Sequence, residues 1–316
     1  MAGFLDLPPP DTLRIPSRKM SVRKNIVSSW TQSLSRGQHP DHADLRDHLL
    51  VVHRDHPGFT ESCAMRCRDK SGRNSYEVLA EIVDPGRYSR VLDLACGSGA
   101  LLEICSRRCG PNAELTGVDM SAEELVLAEQ RGLHPTTKLY EGISQDLNFI
   151  VDGSFDVVLC HWALTLMDQV SGVLGEVKRV LKPDGVFAAI VDGDPATAPG
   201  YSEIHELIYN VVRREQPRFG EIDLGDARVR TGQALKQLAA KSFEGAQVDI
   251  EPLVFDLYAS PDVLAREAAG FFYASFMLAP PAHRQMLKEL EALFAEQRKA
   301  DQSRFALPVN RLVIRQ

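Results

Sequence analysis

One stretch constrains this chain more than any other: Val91-Leu92-Asp93-Leu94-Ala95-Cys96-Gly97-Ser98-Gly99-Ala100-Leu101-Leu102, followed by Leu115-Thr116-Gly117-Val118-Asp119. It reads as strand, glycine turn, helix, strand and acidic end. Glycine lets the backbone pass close to a ligand where a Cβ would clash. The helix that opens at the turn aims unpaired N–H groups at an acceptor. A carboxylate at the tip of the next strand can accept two hydrogen bonds from a ribose diol. These are the parts of a nucleoside-binding βαβ unit.

The turn differs from the dinucleotide fingerprint GxGxxG. Ala100-Leu101-Leu102 follows Gly99, so the third glycine is missing, and Asp93 stands four residues before Gly97. A carboxylate there repels a pyrophosphate and suits a cationic ligand. An acid for a cation, glycines for the turn and a second acid for a ribose point to an amino-acid nucleoside.

On these residues the chain resembles the class I S-adenosylmethionine-dependent methyltransferases over roughly residues 75–195. Their first motif appears as Asp93, Ala95, Gly97 and Gly99. The resemblance implies that Asp119 holds the ribose hydroxyls and that Met120 packs on the adenine. The third motif, commonly Gly-Asp-Ala-x-x-Leu, is here Gly142-Ile143-Ser144-Gln145-Asp146-Leu147. Ile143 replaces the usual adenine-reading acid, so the amine falls to Ser144, Gln145 or a backbone carbonyl. Asp152-Gly153-Ser154-Phe155-Asp156-Val157-Val158 and Leu181-Lys182-Pro183-Asp184-Gly185 fit the family's leads into strands four and five. Cys160 and His161 then sit where the family holds the methionine part. Tyr76 and Arg73 lie where it often closes over the methionine carboxylate; surface positions are the alternative.

Along the chain, strands are expected near 90–94, 114–118, 137–140, 155–160, 185–191, 246–258 and 306–315, with helices between them, the pattern of a parallel sheet. The expected fold is α/β and Rossmann-like: a seven-stranded, mostly parallel sheet with helices on both faces, an N-terminal helical lid and a helical insertion after strand five. Residues 1–84 read as arm and lid, and 85–316 as the cofactor-binding catalytic domain, with the insertion at about 195–230. Residues 1–20 are a proline-rich arm. Val22, Ile26, Trp30 and Leu34 recur at helical spacing. Ser75–Val83 reads as a further helix, stopped by Asp84-Pro85-Gly86.

A net charge of −7 argues against a nucleic-acid backbone as main partner. No apolar run is long enough to span a membrane, and the start lacks a secretory signal's apolar stretch. The reading is soluble and cytoplasmic, with a small-molecule substrate, no nucleic acid and no membrane; a homodimer stays open. The six cysteines, including the i,i+4 pairs Cys63/Cys67 and Cys105/Cys109, read as reduced and structural. His39, His42, His48, His53 and His56 fit no metal-ligand spacing, so no metal is expected and their roles are solvated or capping.

For catalysis the candidates are His161, Asp192 and His205. Trp162, Tyr201, Tyr273 and Phe276 are candidates for an acceptor pocket; core packing is the alternative for the aromatic sets Tyr201/His205/Tyr209 and Phe271/Phe272/Tyr273/Phe276. For Asp119 the competing role is a helix N-cap, which Ser121 can take instead. For His161 it is a buried, hydrogen-bonded histidine. Three functions remain open: methyl transfer from S-adenosylmethionine to a small biosynthetic acceptor, a cofactor-binding scaffold, or cyclisation of the cofactor. In the last, the amino group attacks its own γ-carbon, giving azetidine-2-carboxylic acid and methylthioadenosine. A closed lid with no acceptor pocket would favour cyclisation.

Overall fold

A computed structural model describes residues 26–221, 224–298 and 302–316. The proline-rich arm and Val22 lie outside the described residues. The chain runs through helices α1 (Ser29–Ser35), α2 (His42–Asp55), α3 (Glu61–Arg66) and α4 (Ser75–Ala80) before the first strand, β1 (Arg90–Leu94). Then follow α5 (Ala100–Cys109), β2 (Glu114–Asp119), α6 (Ala122–Glu129), β3 (Lys138–Glu141), β4 (Phe155–His161), α7 (Val170–Val180) and β5 (Leu181–Asp192). The C-terminal part holds α8 (Tyr201–Glu215), α9 (Gly232–Ser242), β6 (Gln247–Ala259), α10 (Pro261–Phe271), α11 (Pro280–Glu296) and β7 (Ser303–Arg315).

The seven strands form one sheet in the order β3-β2-β1-β4-β5-β7-β6. Strands β1 to β5 pair in parallel, and β7 enters antiparallel between β5 and β6. The expected Rossmann-like sheet is present. Side chains on successive residues of a strand point to opposite faces. Val157 and Leu159 of β4, with Val186, Ala188 and Ile190 of β5, join the core under α4, α5, α8, α10 and α11. Val158 and Cys160, with Phe187, Ala189 and Val191, join the core under α7 and α9. Helices therefore cover both faces, and the parity of β4 also decides which residue at its tip meets a ligand.

The first helix is shorter than its periodicity suggests. Ser28 caps it in a reciprocal capping box with Thr31, so the helix starts at Ser29 and Ile26 lies outside it. Trp30 and Leu34 are buried as the pattern demands. Lys182-Pro183-Asp184-Gly185 is not a turn between elements. It is a bulge inside β5, where pairing jumps from Phe155↔Leu181 to Val157↔Val186.

The N-terminal histidines correct a sequence expectation. His48 is neither solvated nor capping: it is 1% exposed, its Nδ1 lies 3.0 Å from the Ser28 hydroxyl, and its ring lies against Trp30. Burial pushes it down to about 4. No group of His, Cys, Asp or Glu suited to a metal occurs among the described residues, and no helix there is long and apolar enough to cross a membrane. The Cys63 and Cys67 sulfurs lie 3.8 Å apart as free, buried thiols.

Candidate active site

A cavity opens at the carboxyl ends of β1, β2, β4 and β5, the place where open α/β sheets bind ligands. It is lined from both directions: by the glycine turn and strand tips below, and by α2, α3 and the α10 end above.

Its first end is acidic. Asp93 leaves β1 with 2% exposure, and its Oδ2 has no hydrogen-bond partner. Burial and the nearby Asp119 push its carboxyl well above the usual range. Asp119 ends β2; its Oδ2 accepts the Gly97 N–H at 2.8 Å and its Oδ1 the Ser121 N–H at 2.9 Å. Burial raises its carboxyl too. Two carboxylate oxygens offer about four acceptor positions, so two remain for a diol. The helix-cap role belongs to Ser121, whose hydroxyl accepts the Glu124 N–H. An unpartnered buried carboxylate oxygen is costly unless a cation meets it. Asp93 therefore fits the positive part of an amino-acid nucleoside sulfonium.

Gly99 works differently from a ligand cradle. A Cβ there would come 2.8 Å from the Ala128 Cβ, at φ +80°. The residue lets α5 pack against α6, and it does not line the cavity. Ala95 and Trp162, both cavity-lining, and Gln169, next to the lining Asp168, are the three non-glycine residues with left-handed φ among those described. Such strain gathers where a site fixes the backbone.

The second end is aromatic. Trp162, Tyr201, Tyr209, Phe271 and Phe272 line it with His205, Asp192 and Arg230, while Tyr273, bonded to His53, sits nearer Asp119 and Glu124. The Trp162 indole N–H donates to Asp192 Oδ1 at 2.9 Å. Burial raises the Asp192 carboxyl, while that bond and Arg230 pull the other way. His205 stacks on Tyr209 at 4.1 Å, and burial lowers its basicity. Between the ends, His161 stacks on Tyr76 at 3.6 Å, with Nε2 at 2.9 Å from the Ser75 hydroxyl. Burial pushes it down to about 3, so the ring is neutral at ordinary pH.

Most expected site residues meet here: Asp93, Ala95, Gly97, Asp119, Met120, Ser144, Gln145, Tyr76, His161, Trp162, Asp192, Tyr201, His205 and Tyr273 all line the cavity. Gln145 spends its amide nitrogen on Asp168, at 2.7 Å to Oδ1. Four do not line it. Gly99 is the helix contact just described. Cys160 has the opposite strand parity to His161 and lies in the core under α7, where burial raises its thiol to about 12. Arg73 is committed to Asp69 and Glu81. Phe276 packs with Phe59, at 4.6 Å, in a small separate cluster.

The roof was not legible. The sequence suggests a solvated or capping role for His53; instead its Nδ1 lies 2.7 Å from Glu124 Oε1 and its Nε2 2.6 Å from the Tyr273 hydroxyl. It ties α2 to α6 and to the turn after α10. Glu124 also accepts the Gly58 N–H at 2.8 Å. Glu61 accepts the Ser98 hydroxyl and pairs with Arg131, which also donates to the Ser98 carbonyl. Arg46 donates to Asp168 at 2.6 Å. Each joins residues far apart in sequence, and a first-turn glutamate such as Glu124 looks like an ordinary helix-dipole partner.

Residues 92–189 match the family described as methyltransferase domain. Over those residues the chain is similar to the class I S-adenosylmethionine-dependent methyltransferases. It is 30% identical over 135 residues to the demethylmenaquinone methyltransferase of Staphylococcus aureus, covering 42% of this chain and 54% of that one. It thus spans about half the length of the curated relatives it matches. A putative methyltransferase from an antibiotic biosynthesis pathway of Anabaena variabilis superposes with a TM-score of 0.54 at 14% identity, over 80% of this chain and 99% of that one. A Haemonchus contortus N-methyltransferase solved with phosphomonomethylethanolamine and S-adenosylhomocysteine gives 0.51 at 14% identity, over 88% and 60%. At these identities the structural likeness is one of fold. The methyltransferase match ends at residue 189, so Trp162 lies inside it and the aromatic walls from Tyr201 onward lie outside it.

Proposed function

We propose that this protein transfers the methyl group of S-adenosylmethionine to a small, largely aromatic acceptor. The observation that carries the reading is the two-part cavity: an acidic, glycine-lined end joined to an aromatic compartment beyond it. Cyclisation of the cofactor needs no second compartment, so its presence favours an external acceptor. On this reading residues 1–84 serve as arm and lid over a catalytic unit of 85–316. The cavity-lining Arg46, Leu49 and His53 on α2 support that division.

S-Adenosylmethionine supplies a methyl carbon made electrophilic by the sulfonium it is bound to. The chain's own residues do the rest. Asp119 would accept the ribose hydroxyls, Asp93 would face the positive charge, and Met120 would pack on the base. Ser144 and the Gln145 carbonyl oxygen are left to meet the adenine amine. The aromatic walls orient the acceptor and exclude water. For a hydroxyl acceptor, the oxygen attacks the methyl carbon, the carbon–sulfur pair stays on sulfur, and the hydroxyl proton passes to a base.

Of the three candidate bases, Asp192 suits the step best. It lies in the aromatic compartment, burial strengthens it as a base, and Trp162 and Arg230 favour its ionised form. His161, held near 3, is a poor base and serves as a wall with Tyr76. His205 lines the same compartment at one remove, stacked on Tyr209.

Product analysis tests the reading. The purified protein should leave S-adenosylmethionine intact when incubated with it alone. S-Adenosylhomocysteine should accumulate once a cell extract containing acceptors is added. Methylthioadenosine formed without any acceptor would overturn methyl transfer in favour of cyclisation.

A further inference from the structure

Two arginines line the cavity, Arg46 and Arg230. Arg46 is bonded to the Asp168 carboxylate. Among the described residues Arg230 has no ion-pair partner. Its Nη2 donates to the Leu224 carbonyl, its Nε is buried without a partner, and no carboxylate of the described residues lies within ion-pair distance. Arg230 is half-buried, and a buried guanidinium nitrogen with no acceptor is costly to keep; natural structures give such groups a reason.

The backbone around Arg230 is built to hold it there. Val229 is 0% exposed and packs in the core under α7 and α9. Thr231 caps α9 by accepting the Ala234 N–H. Gly225, at φ +78°, comes so close to the Thr165 carbonyl that a Cβ would stand 2.2 Å from it. Asp226 meanwhile takes up Arg228, two residues earlier and exposed. Arg230 is thus fixed at both sides and aimed inward.

Its electrostatic neighbours place it at the aromatic end. The groups that feel its charge are Asp192, Tyr201, His205 and Tyr209, whereas Asp93 feels Asp119, and Asp119 feels His53 and Glu124. No lysine occurs among the described lining residues. A single guanidinium offers one positive charge and one planar fork, which matches a carboxylate monoanion; a phosphate dianion would need more positive charge.

We propose that Arg230 is the acceptor-recognition residue, binding a carboxylate carried on the aromatic ring of the substrate. This rests on the methyl-transfer reading, because it assigns the compartment to an acceptor. A planar guanidinium grips a carboxylate through two parallel N–H···O bonds and so fixes orientation as well as charge. The ring then packs against the wall that Trp162 and Phe271 form together, their centroids 4.9 Å apart, with its nucleophile turned toward the methyl donor.

The test uses matched acids and amides: benzoate with benzamide, 2-naphthoate with 2-naphthamide, and indole-3-acetate with indole-3-acetamide. Each is titrated by calorimetry into the full chain saturated with S-adenosylhomocysteine. In the wild type the acids should bind about tenfold more tightly than their amides. In Arg230→Gln that ratio should fall to about one, with the affinity for S-adenosylhomocysteine within about twofold of wild type. Arg230→Lys, which keeps the charge without the fork, should keep part of the preference, and cofactor binding reports that both variants are folded.

Equal binding of acids and amides to the wild type would overturn the proposal. So would an acid preference that survives in Arg230→Gln, or no acid binding at millimolar concentration. Loss of S-adenosylhomocysteine affinity in Arg230→Gln with methylthioadenosine affinity intact would give the guanidinium to the cofactor's own carboxylate and overturn the acceptor assignment. Failure of S-adenosylhomocysteine to bind the wild type would sink the methyl-transfer reading instead; the acid-to-amide ratio, measured without it, would still decide the role of Arg230.

Discussion

The two ends of the cavity are built in opposite ways. The acidic end comes largely from one contiguous βαβ unit: Asp93, Gly97 and Asp119 lie within 27 residues of each other, and the Gly97 N–H reaches Asp119 directly. The aromatic end is assembled from the β4 tip, the β5 tip, α8, the loop before α9 and the α10 end. The first is a local structure that the sheet merely displays. The second exists only because five separate segments are packed at the same place. A local unit can be shared across a family while the assembled one is remade, and the methyltransferase match stops at residue 189, before most of the assembled end.

Breaking the acidic end should cost most. Asp119→Ala removes the oxygens that receive the Gly97 and Ser121 N–H groups and that, on the proposed reading, would hold the ribose. Two charge-assisted hydrogen bonds lost to the ligand amount to about 3 kcal/mol, or about 100-fold in affinity for S-adenosylhomocysteine. Binding of the aromatic acids should hardly change. Equal losses at both ends would show that the two are one unit.

A smaller effect separates charge from shape. In the free protein the Asp93 carboxyl is held well above its usual range by burial and by Asp119. A cationic ligand favours the ionised form, so binding expels a proton. Affinity for S-adenosylmethionine should therefore rise with pH until it passes the free-site value, then level off. Asp93→Asn should weaken binding by about tenfold and flatten much of that rise. Calorimetry in buffers of different ionisation enthalpy checks the proton release; a release that persists unchanged in Asp93→Asn would place the proton elsewhere.

The least effect is expected at the seam. His53→Gln disturbs the bonds to Glu124 and Tyr273 that tie α2 to α6 and to the turn after α10. Cofactor affinity should fall about fivefold, the worth of about 1 kcal/mol. Amide exchange in α2 should quicken without a change in the sheet. Unchanged exchange in α2 would mean that other contacts hold the roof.

The sequence alone determined the sheet, its mostly parallel order and the acidic floor. The reason is that short apolar runs between helices, turn glycines and strand-end acids are local signals, readable within a few residues. It also made Ser121 an available cap beside Asp119, and the structure places it there. Tertiary structure decided the rest. Strand parity put His161 in the cavity and Cys160 in the core. A pairing with Asp69 and Glu81 took Arg73 away, and packing against Phe59 took Phe276. His53, Glu124 and Arg230 gave no sequence signal, because their partners or their lack of one depend on segments brought together from far along the chain. An isolated histidine or arginine looks the same in sequence whether it faces solvent or a ligand; burial and the geometry of its neighbours decide which.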